Sequence, residues 1–258
     1  MSSNYTLTQK AIAEFLGTFS ILFFGVGSVI IEFLTVPDSV EYGTYVLNGL
    51  GHGALGWTGI AIAHLFAVGI PIYLFGRVSG AHINPAVTIA LWATKRIDSK
   101  TSAVYIVSQI LGATIAGILF VLVRGTVAAT IGGMGATAPF PGVTVGQAFL
   151  VEFIITCFLM FGVMAFAVDS RAPENFAGFG IASIITMGVF ATGNISGASF
   201  NPARSLGPYI VNTIYGGPDL WGVAWIYILA PTLGAIAAVY FYDQIFLNSE
   251  QLSISFSL

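Results

Sequence analysis

Residues 79–86 read SGAHINPA and residues 196–203 read SGASFNPA, with six of the eight positions identical. This repetition predicts a duplicated chain. Three apolar stretches lie between the two copies, and each is long enough to cross a bilayer. An odd number of crossings places the copies on opposite sides of a membrane, which is the arrangement of an inverted repeat. Inverted repeats of this kind build one site between two similar halves.

The composition of the chain is that of a membrane protein. Of its 258 residues, 56% are hydrophobic and 7% are charged, whereas soluble domains carry about 25% charged residues. Each crossing needs about 20 residues, so six spans leave no room for a soluble domain. We expect a single membrane channel domain over residues 1–258, with repeats at about 9–124 and 147–243. The expected spans are 9–33, 50–75, 101–124, 147–168, 177–194 and 221–243.

The distribution of positive charge predicts the orientation of these spans. Six of the eight basic residues fall on one side of the layout, so both termini are expected to be cytoplasmic in a multi-pass protein of the cell membrane. These six residues are Lys10, Arg77, Lys95, Arg96, Lys100 and Arg171. Glu14 lies inside the first apolar stretch and no cleavage site precedes that stretch, so we expect the first span to be retained.

The remaining composition argues against several classes of ligand. No basic residues cluster with aromatic residues in a polar segment, so nucleic acid binding has no support. Cys157 is the single cysteine, which excludes a cysteine-based metal cluster, and His52 and His82 lack a second ligand at ligand spacing on their helices. We therefore expect neither a metal nor a cofactor.

Each copy of the repeated phrase contains a helix start. Asn is a preferred N-cap and Pro is preferred at the first helical position, so Asn84-Pro85-Ala86 and Asn201-Pro202-Ala203 each predict the beginning of a short helix. The run after the first box is too short to cross a bilayer and ends at Lys95, which indicates a re-entrant half-helix. Two half-helices that enter from opposite faces bring their N-termini together, each with about half a positive charge. Such a meeting point repels cations and hydronium.

The asparagines and the loops before them predict a polar lining. The side-chain NH2 groups of Asn84 and Asn201 can donate to a passing oxygen while their side-chain carbonyls cap the helices. The irregular residues before each box cannot leave their backbone carbonyls in lipid, so we expect these carbonyls to line a water-filled path. They belong to Gly80, Ala81, His82, Gly197, Ala198 and Ser199.

The paired boxes, with Arg204 directly after the second, resemble those of the aquaporin and aquaglyceroporin family, the major intrinsic proteins. The similarity extends to residues 13–18 (AEFLGT), 109–112 (QILG) and 151–153 (VEF), and the loop 133–142 (GMGATAPFPG) is most similar to that of archaeal members. The resemblance implies an all-α membrane protein in which six tilted transmembrane helices and two re-entrant half-helices surround one pore. It also implies a homotetramer with a pore in each subunit.

Two carboxylates occupy matching places in the first and fourth spans. Glu14 and Glu152 are ionisable groups inside spans, and such groups usually face the protein interior with a partner. One hypothesis is a proton relay, but a relay needs a chain of acids or histidines and each repeat offers one such carboxylate. We therefore expect both to accept hydrogen bonds from backbone N–H groups of the loops before the boxes.

Arg204 is expected to project into the path. It lies three residues after Asn201, about one helical turn along the half-helix, where a guanidinium would face the pore rather than lipid. Arginine offers five donors and repels cations. The alternative is a purely structural ion pair. Val87 stands at the matching place after the first box, so the filter should be asymmetric and lie on the outer side.

The resemblance also implies a four-residue filter ring. In this family the narrowest ring joins the arginine to one residue of the second span, one of the fifth and one just before the second box. By position these are His64, Val189, Ala198 and Arg204. Water-selective members usually have an aromatic residue in the second span and a histidine in the fifth, and glycerol-conducting members have two aromatic residues. This ring matches neither pattern. Since valine and alanine are small, we expect a ring wider than in strict water channels; for His64 a packed core residue is the alternative.

These features together predict a passive channel for water and small neutral solutes such as glycerol, urea or ammonia, which excludes protons and ions. Its expected partners are water, these solutes and the lipid bilayer. One alternative is a strictly water-selective channel, and another is a structural or junctional membrane protein with little flux. A secondary transporter would need coupling carboxylates near the membrane centre, and only Glu14 and Glu152 could serve. No nucleophile, base and orienting group can be assembled from these spans, so an enzyme is not expected.

Overall fold

The structure is a computed structural model that describes residues 5–35, 55–173 and 175–247. In this part of the chain, six helices are long and apolar enough to cross a membrane. We number the helices in chain order as α1 (Leu7–Leu34), α2 (Gly56–Ser79), α3 (Pro85–Ala93), α4 (Ser99–Arg124), α5 (Val127–Thr130), α6 (Val145–Val168), α7 (Ala177–Ser196), α8 (Pro202–Tyr215) and α9 (Trp221–Ile245). The predicted six spans and two half-helices are confirmed.

The ends of the spans differ from the expected ends by a few residues. The second span begins at Gly56 rather than at residue 50, and residues 50–54 lie outside the described part of the chain. The second half-helix, Pro202–Tyr215, has 14 residues, whereas the first, Pro85–Ala93, has nine. The sequence did not predict the short α5 between the two repeats.

The first span of each repeat begins with the same capping box. Thr6 accepts a hydrogen bond from the backbone N–H of Gln9 at 3.3 Å, and the Gln9 side chain accepts one from the backbone N–H of Thr6 at 2.8 Å. Thr144 and Gln147 exchange the same pair of bonds at the start of α6. Each box satisfies two backbone donors that have no partner inside the helix. The sequence therefore defines where the first helix of each repeat begins.

Two of the spans contain π-helical segments. One is Ile21–Val26 in the middle of α1, and the other is Met164–Val168 at the end of α6. π-Segments are often found at functional sites. Here both segments contribute side chains, Ile21 and Val168, to the wall of the central cavity described below.

The two repeats are packed in matching ways. Within the repeats, α4 packs on α1 and α9 packs on α6, and between the repeats α2 packs on α7. The crossings inside the repeats both depend on a glycine: a Cβ at Gly112 would overlap the carbonyl oxygen of Phe15, and a Cβ at Gly234 would overlap that of Phe153. The bare glycines therefore let one helix lie directly on the backbone of the other.

One face of the molecule contains the start of α1 and the end of α9, and we call it the terminal face. On this face Arg96, just after α3, donates two hydrogen bonds to Asp243 of α9 at 2.7 and 3.0 Å. Asp169, just after α6, accepts bonds from the backbone N–H and Nε–H of Arg171, both at 2.9 Å. The hydrogen bond from the Arg171 side chain holds the pKa of Asp169 well below its usual range. The first ion pair fastens the segment after α3 to α9, and Arg171 also donates to the carbonyl of Phe246 just after α9 at 3.0 Å.

Candidate functional site

The two Asn-Pro-Ala boxes begin the two half-helices. Asn84 has an extended backbone, and its Oδ1 accepts a hydrogen bond from the N–H of Ala86 at 2.9 Å. Asn201 is also extended, and its Oδ1 accepts from Ala203 N–H at 2.9 Å and from Arg204 N–H at 3.4 Å. Both side-chain carbonyls are therefore N-caps, with proline in the first turn, as helix-start preferences require.

Each asparagine also binds the opposite repeat. Asn84 Nδ2 donates to the carbonyl of Phe200 at 2.9 Å, and Asn201 Nδ2 donates to the carbonyl of Ile83 at 2.9 Å. These reciprocal bonds hold the two helix N-termini next to each other. An amide NH2 has two hydrogens, so one hydrogen of each side chain is used in the crossing bond and a second remains for a ligand in the cavity.

The loops before the boxes have an unusual backbone. Ala81 and Ile83 in the first loop have φ of 47° and 45°, and Ala198 and Phe200 in the second have φ of 44° and 58°. Residues with a Cβ rarely adopt this left-handed conformation, and Ile83 is β-branched. Strained conformations of this type persist only where the surroundings impose them, and they cluster at functional sites.

In the first repeat, Glu14 imposes the loop conformation. Its side chain is fully buried. It accepts hydrogen bonds from the backbone N–H groups of His82 at 2.9 Å and Ile83 at 2.6 Å, and from the Ser79 hydroxyl at 2.6 Å. A further bond at 2.7 Å comes from the side-chain amide of Gln109. Buried carboxylates need such donors to be stable in a low-dielectric interior.

In the second repeat, Glu152 occupies the matching position and is equally buried. It accepts hydrogen bonds from the backbone N–H groups of Ser199 at 2.8 Å and Phe200 at 3.0 Å, and from the Ser196 hydroxyl at 2.6 Å. Each carboxylate thus organises its loop through two backbone N–H groups and one serine hydroxyl, and Glu14 has the Gln109 amide in addition. The hydroxyl of Tyr227 adds a bond to the Ser196 carbonyl at 2.8 Å.

A central cavity of about 170 Å³ runs past both boxes. At one end it is lined by Leu91 and Val168, and at the other by His64 and Arg204. Five of the six loop residues that were expected to line a path line this cavity, namely Gly80, Ala81, His82, Ala198 and Ser199. The sixth, Gly197, lines a second cavity beyond Arg204. The remainder of the wall is mostly aliphatic, so the polar groups of the boxes and loops are the main hydrogen-bonding groups along it.

The second cavity, which we call the far cavity, lies on the opposite side of the expected ring. Its volume is about 10 Å³. His64 and Arg204 line both cavities, Ala198 lines the central cavity, and Val189 lines the far cavity. The four expected ring residues therefore lie together where the two cavities meet.

Arg204 is held in place by the segment between α5 and α6. Its Nη1 donates to the backbone carbonyl of Gly135 at 2.8 Å, and the residue is only 4% exposed. Its Nε–H has no partner among the described residues. The guanidinium is thus oriented by the protein with at least one donor left for a ligand.

His64 is oriented by its own helix. Its Nδ1 lies 2.9 Å from the carbonyl oxygen of Ile60, one turn earlier in α2. A carbonyl can only accept, so Nδ1 must carry a hydrogen, and in the neutral ring Nε2 is then an acceptor. Nε2 is buried and has no partner in the part of the chain that the structure describes. The junction of the two cavities thus offers a fixed acceptor from His64 and a fixed donor from Arg204.

Sequence reasoning did not identify the hydroxyl cluster that supports the second half-helix. The Oγ atoms of Ser199 and Ser205 are 2.7 Å apart, and Ser205 Oγ is 2.7 Å from Thr137 Oγ1. Tyr209 donates to the Thr137 carbonyl at 2.6 Å. Thr137 and Gly135 belong to the glycine- and proline-rich loop 133–142, which the sequence marked only as a family resemblance. Among the described residues no group of His, Cys, Asp or Glu could hold a metal ion.

The structure has six spans, two half-helices that meet at paired Asn-Pro-Ala boxes, and a cavity along both boxes. These features define a multi-pass membrane protein of the channel class. A family profile described as Major intrinsic protein matches residues 1–242. The chain belongs to the major intrinsic protein family, and the resemblance noted in the sequence is confirmed.

Curated relatives and a solved structure agree with this assignment. The chain is 44% identical to Aquaporin AqpM of Methanothermobacter thermautotrophicus over 251 residues, which cover 95% of this chain and 99% of the relative. It is 37% identical to Nodulin-26 of Glycine max over 246 residues, which cover 95% of this chain and 80% of the relative. The X-ray structure of the aquaglyceroporin from Plasmodium falciparum matches with a TM-score of 0.78 at 25% identity, covering 96% of this chain and 100% of that one.

Proposed function

We propose that this protein is a passive channel for water and small neutral solutes that excludes protons and other ions. The observation that carries the proposal is the meeting of two helix N-termini at Asn84 and Asn201 inside one cavity. Relatives named aquaporin and aquaglyceroporin support it, since they cover nearly the whole chain.

Proton exclusion follows from the direction of the donors. A water whose oxygen accepts from the free hydrogens of both asparagines must point its own hydrogens away, toward the two ends of the cavity. Water molecules on either side then have opposite orientations, and a proton cannot be relayed through the centre. The positive ends of α3 and α8 raise the barrier for hydronium and for metal cations at the same place.

Discrimination between cations and neutral hydrogen-bonding solutes is assigned to the junction of the two cavities. The cationic Arg204 repels cations and donates to a permeating oxygen, whereas the neutral His64 accepts from a permeating O–H or N–H. Water, ammonia, urea and glycerol each carry a hydrogen that can be donated, and each has a lone pair for Arg204. We therefore assign the filter role to His64, Val189, Ala198 and Arg204.

The placement in the cell is part of the proposal. The terminal face contains Lys10, Arg96 and Arg171, so the positive-inside rule assigns it to the cytoplasm. The filter then lies toward the outside of the cell membrane. We further propose a homotetramer of single-domain subunits, each with its own pore, as the family resemblance implies. A strictly water-selective channel and a junctional protein with little flux are the two alternatives.

Stopped-flow light scattering on proteoliposomes tests the proposal. Vesicles are shrunk with an impermeant osmolyte, and in parallel samples their reswelling in urea and in glycerol is recorded, with empty vesicles as the control. We expect fast shrinkage with a low activation energy, and no change in internal pH under a proton gradient. Water flux equal to that of empty vesicles would refute the channel and favour the junctional alternative.

A further inference from the structure

Beyond the four-residue ring, the far cavity leaves little open space for a permeating molecule. That cavity has a volume of about 10 Å³, against about 170 Å³ for the central cavity. A single water needs roughly 10–15 Å³ of such space. The far cavity in this conformation thus has room for about one water molecule. The small side chains of Val189 and Ala198 do not account for this narrowness.

Trp57 contributes the largest side chain to the wall of the far cavity. It lies on α2 seven residues before His64 and three before Ile60, so the three side chains share one face of the helix. All three line the far cavity. The Trp57 ring lies against α7 at Gly193, where a Cβ would overlap the ring. Because Gly193 follows Val189 by one turn, the indole covers the ring valine from the far side.

Phe140 lines the same cavity beside Trp57. Its ring makes an edge-to-face contact with Trp57, with centroids 6.0 Å apart and an angle of 62°. Its backbone N–H donates to the carbonyl of Ile195 at 3.0 Å, and prolines at 139 and 141 restrict the chain on both sides. The aromatic pair is therefore held by two elements, the start of α2 and the anchored loop 133–142.

We propose that Trp57 and Phe140 form an aromatic constriction that sets the size limit of the channel, one turn outside the ring of His64, Val189, Ala198 and Arg204. This inference rests on the proposed channel function and adds the residues that determine its specificity. Both aromatic side chains are apolar over most of their surface, so a polar solute wider than water must shed part of its hydration as it passes beside the pair, with few replacement hydrogen bonds. Water and ammonia pass singly, whereas urea and glycerol are slowed here although the ring itself would admit them.

The test compares three purified variants in proteoliposomes at matched protein content: Trp57→Ala, Phe140→Ala and the control Trp225→Ala. Trp225 is a half-exposed tryptophan of α9 whose ring packs on Phe149, and it lines neither cavity. Water, urea and glycerol permeabilities are measured for each. We expect the urea and glycerol permeabilities of Trp57→Ala to rise about tenfold relative to water, which corresponds to a barrier lower by about 1.4 kcal/mol. Phe140→Ala should change in the same direction, and Trp225→Ala should match the unsubstituted protein.

Two further variants at this site test the direction of the effect. Trp57→Phe keeps an aromatic ring of smaller size and should give an intermediate rise in urea and glycerol permeability. Gly193→Ala should act in the opposite direction, because its methyl group would push the indole into the far cavity and slow every solute, water included.

The outcomes separate the two proposals. Absence of water flux in the unsubstituted protein would defeat the channel function. A second outcome would overturn the aromatic constriction alone. In it, water flux is fast, but none of the four variants at Trp57, Phe140 and Gly193 changes the ratio of urea or glycerol permeability to water permeability. The constriction would also be wrong if the unsubstituted protein admitted glycerol as fast as Trp57→Ala does.

Discussion

Glu14 and Glu152 are the single residues on which the pore loops most depend. Each accepts two backbone N–H bonds and one serine hydroxyl bond while fully buried. Four positive-φ residues in the loops would otherwise relax toward common backbone conformations. The carboxylates thus act as positioning residues, since they stabilise the loops whose residues line the cavity.

Exchange of either carboxylate for an amide should destabilise the protein. In Glu152→Gln one oxygen becomes an NH2 group that faces a donor, so a buried N–H loses its acceptor at a cost of about 1–3 kcal/mol. We expect a lower melting temperature in detergent and reduced water flux, with a similar loss for Glu14→Gln. Asp219→Asn, which alters one exposed turn bond, serves as the control. Melting temperatures equal to that of the control would show that the carboxylates are dispensable.

Some of this residue-level geometry could be predicted from the sequence, and some could not. The N-caps at Asn84 and Asn201 follow from local preferences, so the repeated phrase was sufficient to predict them. The partner of Arg204 is a backbone carbonyl, Gly135, and sequence patterns carry no signal for a carbonyl. The constriction was missed because Trp57 and Phe140 are 83 residues apart and meet only through the fold. A tryptophan on the same helix face as His64 was the available clue.

At the scale of helices, the two crossings of α1 with α4 and of α6 with α9 set the width of each half. Gly112 and Gly234 occupy matching places in α4 and α9, and both lie against a backbone carbonyl of the partner helix. No side chain could be inserted there unless the helices moved apart. Small residues have the same role in many membrane helix pairs.

Alanine at either crossing should be harmful, although alanine is the better helix former. Overpacking of this kind typically costs about 1–3 kcal/mol, so we expect Gly112→Ala and Gly234→Ala to lower the melting temperature and the yield of folded protein. Gly76→Ala is the matched control, because its Cβ would meet no atom within 4 Å. Helix propensity alone should stabilise that control by about 1 kcal/mol or less. If all three variants behave alike, the close crossings do not limit stability.

The existence of the helices was more predictable than their details. Length and apolar composition were sufficient for six spans, since the bilayer requires both. The π-helical segments Ile21–Val26 and Met164–Val168 were not predicted, because a changed hydrogen-bond register depends on packing rather than on local composition. The second half-helix continues to Tyr215 and ends at Gly216, which has a left-handed backbone. Gly216 marks this end in the sequence as well, but the expected layout assigned no last residue to the second half-helix.

At the scale of the whole molecule, the two repeats complete each other. Asn84 binds the second loop, Asn201 binds the first, and Phe140 of the connecting loop is tied to Ile195. Neither half contains both N-termini or both walls of the cavity. We therefore propose that the two repeats form one domain, and the length and composition led to the same expectation.

A divided protein tests this interdependence. Gly142 is exposed, has φ of 83°, and a Cβ added there would meet no atom within 4 Å. A break after Gly142 should therefore separate the repeats at little cost. We expect the pieces 1–142 and 143–258 to copurify and conduct water when expressed together, and neither to conduct alone. Asn84→Ala in the first piece should weaken their association, because it removes a bond that crosses the halves. Water flux through a single piece would contradict the interdependence.

The reciprocal asparagine bonds also bear on how the two copies could diverge after duplication. Their acceptors are the main-chain oxygens of Ile83 and Phe200. A main-chain oxygen is present whatever side chain the residue carries, so mutation at those codons leaves the bond intact. The side chains beside the boxes could therefore drift apart, to isoleucine in one copy and phenylalanine in the other, while selection acted on the asparagines. Such an architecture lets a duplicated gene acquire a different lining in each half and retain its symmetric centre.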